Sequence, residues 1–147
     1  MSQQSTVHPA TSKVLIAGFV ATIVITLMMY FGAPMMTGKP MDIAGELARM
    51  IGMPWMVGMA IHFVLGTVVF SLAYARVAVR FLPGGAAVRG LLWGLLLWLV
   101  AMLMMSPMMG KGLFMGGMQA AAASLVGHLA FGLTLGLIVG WPKSHLA

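Results

Sequence analysis

Four stretches of this chain are each long and apolar enough to cross a lipid bilayer, and this constrains the fold more than any other feature. A bilayer core needs about 20 apolar residues per helix. The blocks run from about Val14 to Phe31, Pro54 to Ala78, Val88 to Met105 and Met118 to Trp141. Single glycines and prolines inside them do not break the reading, because bundled helices in lipid tolerate both. Composition agrees. Of 147 residues, 61% are hydrophobic and 7% charged, whereas a soluble domain carries about 25% charged residues. The expected fold is all-α, a polytopic membrane four-helix bundle. Residues 13–142 would form one transmembrane domain between a polar tail, 1–12, and a short tail, 143–147. The first tail has no basic n-region, so the first block reads as a span and not as a cleaved signal peptide.

The loop charges set an orientation. Lys13, Arg76, Arg80, Arg89 and Lys143 fall on one side without an acid, while Lys39, Arg49 and Lys111 share the other with Asp42 and Glu46. The richer set faces the cytoplasm, which places both termini inside. Trp55 and Trp141 stand near span ends as interfacial anchors. In the outer loop, Ile43, Leu47, Met50 and Ile51 recur at helical spacing, with Asp42, Glu46 and Arg49 opposite. That pattern predicts a short amphipathic helix on the outer surface, stopped by Gly52 and Pro54.

The chain also repeats itself. A-P-M-M-T-G-K (33–39) ends the first span and S-P-M-M-G-K-G (106–112) ends the third. His-x-x-x-Gly follows in each half, at His62 and at His128. The order predicts two tandem transmembrane hairpins, about 13–82 and 86–142, with a pseudo-twofold axis along the membrane normal. Proline and glycine are expected to end the first and third spans.

His62 and His128 fall at mid-membrane depth, about 13–15 Å below the outer surface at the helical rise. Ionisable groups there default to a functional hypothesis. Gly58 and Gly66 share a face with His62; Ser124, Gly132, Gly136 and Gly140 share one with His128. One reading is a bis-histidine haem b held between the second and fourth spans. A second is a pair of neutral imidazoles hydrogen-bonded across close seams, with Thr67, Ser71, Ser124 or a carbonyl as partners, and a third is a quinone pocket.

Apart from Met1, the 16 remaining methionines of 17 fall within Met28–Met59 and Met102–Met118, all in the outer half of the predicted bundle. Thioethers are soft ligands suited to Cu(I), and Met35, Met36, Met108 and Met109 would converge if the halves are symmetric. Methionine equally suits a plastic docking surface or simple contact with lipid. Other chemistry is sparse. The chain has no cysteine, which removes disulfides, thiolate metal sites and iron–sulfur clusters. Asp42 and Glu46 are its only acidic side chains, so no intramembrane carboxylate serves a proton relay. No phosphate loop or dinucleotide fingerprint occurs, and Arg76, Arg80 and Arg89 are placed for anionic headgroups rather than nucleic acid.

Three phrases carry a resemblance: I-G-M-P (51–54), L-P-G-G-A-A-V-R-G (82–90) and G-H-L-A-F-G-L-T-L-G (127–136). With these, the chain resembles an uncharacterised family of small prokaryotic integral membrane proteins. The resemblance implies four transmembrane helices in a bacterial or archaeal cytoplasmic membrane, and an association with respiratory terminal oxidases. Tyrosine often takes the place of Phe131 in that pattern, so this chain lacks the aromatic hydroxyl there. The expected function is a non-catalytic accessory subunit of a respiratory complex, a haem-copper terminal oxidase, with other membrane subunits and lipids as partners. The alternatives are a small b-type cytochrome using His62 and His128, and a methionine-based Cu(I)-handling protein.

Overall fold

The computed structural model describes residues 9–140. The tail 143–147 and Trp141 lie outside the described residues, as does most of the tail 1–12. Five helices follow in order: α1 (Thr11–Thr37), α2 (Ile43–Ile51), α3 (Trp55–Phe81), α4 (Ala86–Met108) and α5 (Met118–Val139). All but α2 are long and apolar enough to cross a membrane, and no strand occurs among the described residues. Among the four long helices the close contacts run α3–α1, α1–α5 and α5–α4, while α3 and α4 have few backbone contacts and meet through the rings of Tyr74 and Trp93, 6.2 Å between centroids. A strict twofold exchanging α1 with α4 and α3 with α5 would make the α3–α4 contact match the α1–α5 contact. The first is open and the second is tight.

The repeated proline phrases have one structural consequence in both places. Met28–Gly32 and Ala101–Met105 are widened, π-type turns, each ending two residues before a proline, Pro34 and Pro107. Proline has no N–H and its ring clashes with the carbonyl four residues back, so the helix opens by one residue to pass it. The helices therefore run through these prolines, contrary to the expectation that proline ends them. Gly38 and Gly110 lie just past the two ends with φ of 75° each, a conformation that costs glycine little. In α1 the opened turn leaves the Met29 carbonyl facing Pro34, which cannot donate. The backbone N–H of Met41 fills the vacancy at 3.0 Å and ties the following loop back onto the bundle.

Among the four long helices, the tightest seam joins α4 to α5 through glycines on both sides. A Cβ on Gly132 would lie 2.1 Å from the Gly90 carbonyl oxygen and 2.7 Å from the Gly94 nitrogen. One on Gly136 would lie 2.5 Å from the Ala86 oxygen, and one on Gly94 would lie 2.2 Å from the His128 oxygen. Backbone against backbone at this range gives dense van der Waals contact, the main force between helices in lipid. The α1–α3 seam is similar: Gly66 faces the Thr22 hydroxyl, and Gly18 faces Ser71. Thr22 and Ser71 are fully buried, and each hydroxyl donates back into its own helix, to the Gly18 and Thr67 carbonyls.

Helix α2 starts on Asp42, whose carboxylate caps it by accepting the Gly45 N–H at 3.0 Å. Gly52, in the left-handed conformation, follows its last residue. Its buried face is Ala44, Gly45, Leu47 and Ala48, packed on α3 where Gly58 meets the Ala44 carbonyl. Met50 and Ile51, expected on the same face as Leu47, are 38% and 50% exposed. The small residues win the interface because only they let α2 approach α3 so closely. At the opposite end of the bundle, Lys13 donates to the Val139 carbonyl at 3.2 Å, capping α5, and Arg76 donates to the Thr11 hydroxyl at 2.6 Å.

Candidate functional site

Where α3 and α4 part, the four long helices enclose a cavity of about 450 Å³. That volume falls in the range of small-molecule sites. Its wall is apolar, built from side chains such as Ile25, Leu65, Phe70, Leu97 and Phe131, and both His62 and His128 line it. Six methionines join them: Met29, Met41, Met102, Met105, Met109 and Met115. A second cavity of about 440 Å³, towards Asp42 and Lys39, shares four of these, Met29, Met41, Met109 and Met115.

The Ser124 carbonyl fixes the tautomer of His128, and the Thr26 hydroxyl, with its proton given to Thr22, sets that of His62. Thr26 has one hydroxyl proton, and it goes to the Thr22 carbonyl at 2.6 Å. The same oxygen lies 3.0 Å from His62 Nε2, so it accepts and His62 Nε2 carries the hydrogen. His128 Nδ1 lies 2.8 Å from the Ser124 carbonyl, which only accepts, so here Nδ1 carries the hydrogen. The Ser124 hydroxyl is a further 3.3 Å neighbour of the same nitrogen. His128 thus uses the Ser124 named from sequence. His62 uses Thr26 instead of Thr67 or Ser71, across the α1–α3 seam.

The four methionines singled out as copper ligands are not gathered at this cavity. Met35 and Met108 are 89% and 64% exposed, Met36 is also exposed, and only Met109 reaches the wall. Consecutive side chains point about 100° apart on a helix, which separates Met109 from Met108, whereas Met35 and Met36 are both exposed. Sequence reasoning also missed Thr26. One hydroxyl in an apolar span carries no signal until the neighbouring helix is in place. Among the described residues, no group of three or more His, Cys, Asp or Glu could hold a metal ion.

A polar cluster closes the Asp42 end. Asp42 Oδ1 accepts from the Tyr30 hydroxyl at 2.7 Å and the Trp55 indole at 2.9 Å, in addition to Gly45. It thereby joins α1, α2 and α3. Burial pushes its carboxyl up, but the bonds from Gly45, Tyr30 and Trp55 and the charge of Arg49 outweigh it and hold the group below its ordinary value. Glu46 pairs with Arg49 on its own helix and with Lys111 at 2.8 Å from the loop before α5. Burial again raises this carboxyl, and Lys111 with Arg49 more than offsets it, so it too sits low. From the last turn of α4, the Ser106 hydroxyl donates to the Gly112 carbonyl at 2.6 Å and accepts the Met115 N–H at 3.0 Å, bracing this loop. That brace holds Phe114 and Met115 at φ of 53° and 57°, a conformation that costs non-glycine residues about 1–2 kcal/mol each, and sets Met115 against the cavity.

These features define a class: a multi-pass, all-helical membrane protein with a histidine- and methionine-lined cavity among four apolar helices. Residues 10–146 match the model of DUF6789, a family of unknown function, and the chain belongs to that family. No curated protein and no solved structure matches it.

Proposed function

We propose that the chain is a non-catalytic accessory subunit of a membrane complex, with a respiratory haem-copper terminal oxidase as the partner assembly. The observation that supports this is the placement of its exposed methionines. Met35, Met53, Met56, Met104, Met108 and Met118 are each at least half exposed, and all belong to the half of the bundle that carries Asp42. Flexible, polarisable thioethers suit a surface that must match another protein's relief. In this reading both termini face the cytoplasm of a bacterial or archaeal cell, α2 lies at the outer surface, and the two halves descend from one duplicated hairpin. A tagged chain expressed at native level and extracted in mild detergent should co-purify with oxidase subunits. Changing Met35, Met56 and Met108 together to glutamine should lower that recovery without moving the melting midpoint. A chain that migrates alone from native membranes sinks the proposal.

A second reading, a bis-histidine haem b, draws support from one observation: His62 and His128 line the same cavity. Thr26 occupies His62 Nε2, so ligation through that nitrogen would exchange a hydrogen bond for iron. Its test is the absorption spectrum of protein purified from haem-replete cells, where a missing Soret band rules haem out.

A further inference from the structure

Around the two histidines the cavity wall is rich in lone pairs. His62 gives its Nε2 hydrogen to Thr26, and His128 gives its Nδ1 hydrogen to the Ser124 carbonyl. That leaves Nδ1 of His62 and Nε2 of His128 as bare acceptors, and among the described residues no hydrogen bond reaches either. Two hydroxyls on the wall have also given their protons away, Thr22 to Gly18 and Ser106 to Gly112. The Lys111 ammonium, at the Asp42 end, is paired with Glu46. The thioethers of the six methionines are weak acceptors and donate nothing. A molecule that reaches the two imidazoles meets bare acceptors there; the donors left on the wall are the Ser124 hydroxyl, beside His128, and the remaining N–H bonds of Lys111 at the Asp42 end.

We infer that the cavity binds an aromatic diol of the quinol class, drawn sideways from the lipid between α3 and α4, with a ligand hydroxyl donating to a bare imidazole nitrogen. The volume admits a small ring with part of an apolar tail. Leu65, Gly66 and Phe70 of α3 and Leu97, Val100 and Ala101 of α4 line both margins of the parted seam, and none carries a polar side chain to exclude a hydrocarbon tail. The oxidised form of such a molecule has carbonyls where the diol has hydroxyls. It would set lone pair against lone pair at the two bare histidine nitrogens, so the site discriminates by redox state through the hydrogen-bond polarity of these two groups. The inference stands whether or not the chain docks into a larger complex.

The test is equilibrium binding to the full chain in nanodiscs under anaerobic conditions, read by tryptophan-fluorescence quenching with empty nanodiscs subtracted. The probes are a short-tailed benzoquinol and the matching benzoquinone. Saturable binding is expected, with the quinol about tenfold tighter, the size of one buried hydrogen bond. His128→Phe should remove most of that preference. Thr26 is not part of the cavity wall, so Thr26→Val serves as an independent arm. It frees His62 to present either nitrogen, and the preference should narrow while quinone binding improves. Absence of saturable binding, a quinone that binds as well as the quinol, unchanged preference in Thr26→Val, or haem recovered in the purified protein would each overturn the inference.

Discussion

Replacing Gly132 with leucine is expected to lower the melting midpoint of the detergent-solubilised protein by roughly 10 °C. A Cβ at this position already falls 2.1 Å from the Gly90 oxygen and 2.7 Å from the Gly94 nitrogen. Both neighbours are backbone, so no side-chain rotation relieves the clash, and α4 must move away from α5. Overpacking of this kind costs about 1–3 kcal/mol or more, and each kcal/mol moves the midpoint by about 3–4 °C in a domain of this size. Separation of α4 from α5 also withdraws the Gly94 contact from the His128 backbone, so ligand binding in the cavity should fail together with stability. Gly85→Ala is the control. Its φ is −81° and an added Cβ meets nothing within 4 Å, so its midpoint should stay within about 2 °C, matching a surface change of under about 0.5 kcal/mol. A Gly132→Leu protein that melts like the parent would show that the α4–α5 seam does not carry the bundle.

The second large effect is expected at Asp42. One oxygen accepts from Gly45, Tyr30 and Trp55, so Asp42→Ala removes the cap of α2 and releases two side-chain donors from two spans. A lost cap costs about 1 kcal/mol, and hydrogen bonds to a charged acceptor contribute about 1.5–3 kcal/mol each. Trp55 is 43% exposed and can turn to water, so a total of about 2–3 kcal/mol is expected. Asp42→Asn keeps an acceptor oxygen and should lose less. The sign of the pH dependence follows from the carboxyls of Asp42 and Glu46, both held below their ordinary values. Their contribution is fully present above the unfolded-state values, about 3.9 and 4.3, and is lost as pH falls through the lower folded-state values. Melting midpoints should therefore be level from pH 8 to about 5 and drop below about pH 4. In Asp42→Asn that drop should shrink, leaving the share due to Glu46. Equal midpoints for parent and Asp42→Ala would refute the role of this cluster.

The legible part of the structure is the part governed by solvent. Long apolar blocks can only be helices in lipid, because every backbone N–H and C=O must be paired within the segment. The four helices accordingly lie where hydropathy puts them. Their ends run longer than expected at Thr37 and Met108, because a widened turn carries each helix past its proline. The repeated phrase was legible as a repeat. That it would become one repeated backbone distortion was not, since proline in sequence reads equally as a stop. Gly132 and Gly136 were legible as a small-residue seam. Gly90 and Gly94, their partners, were not singled out, because a packing partner is a property of two helices together.

By itself, the sequence determined the class of solvent, the number of apolar helices and the confinement of methionine to one half. It also marked His62 and His128 as the ionisable side chains deepest in the spans. Only the tertiary structure decided which methionines face inward, that Thr26 and the Ser124 carbonyl dictate opposite tautomers for the two imidazoles, and that α3 and α4 part to leave a cavity between them. The physical reason is one of range. Burial in lipid acts on each segment separately and is written into local composition. Hydrogen-bond polarity and close packing depend on which atoms of distant segments come within about 3 Å of each other, and that follows only from how the helices are set side by side.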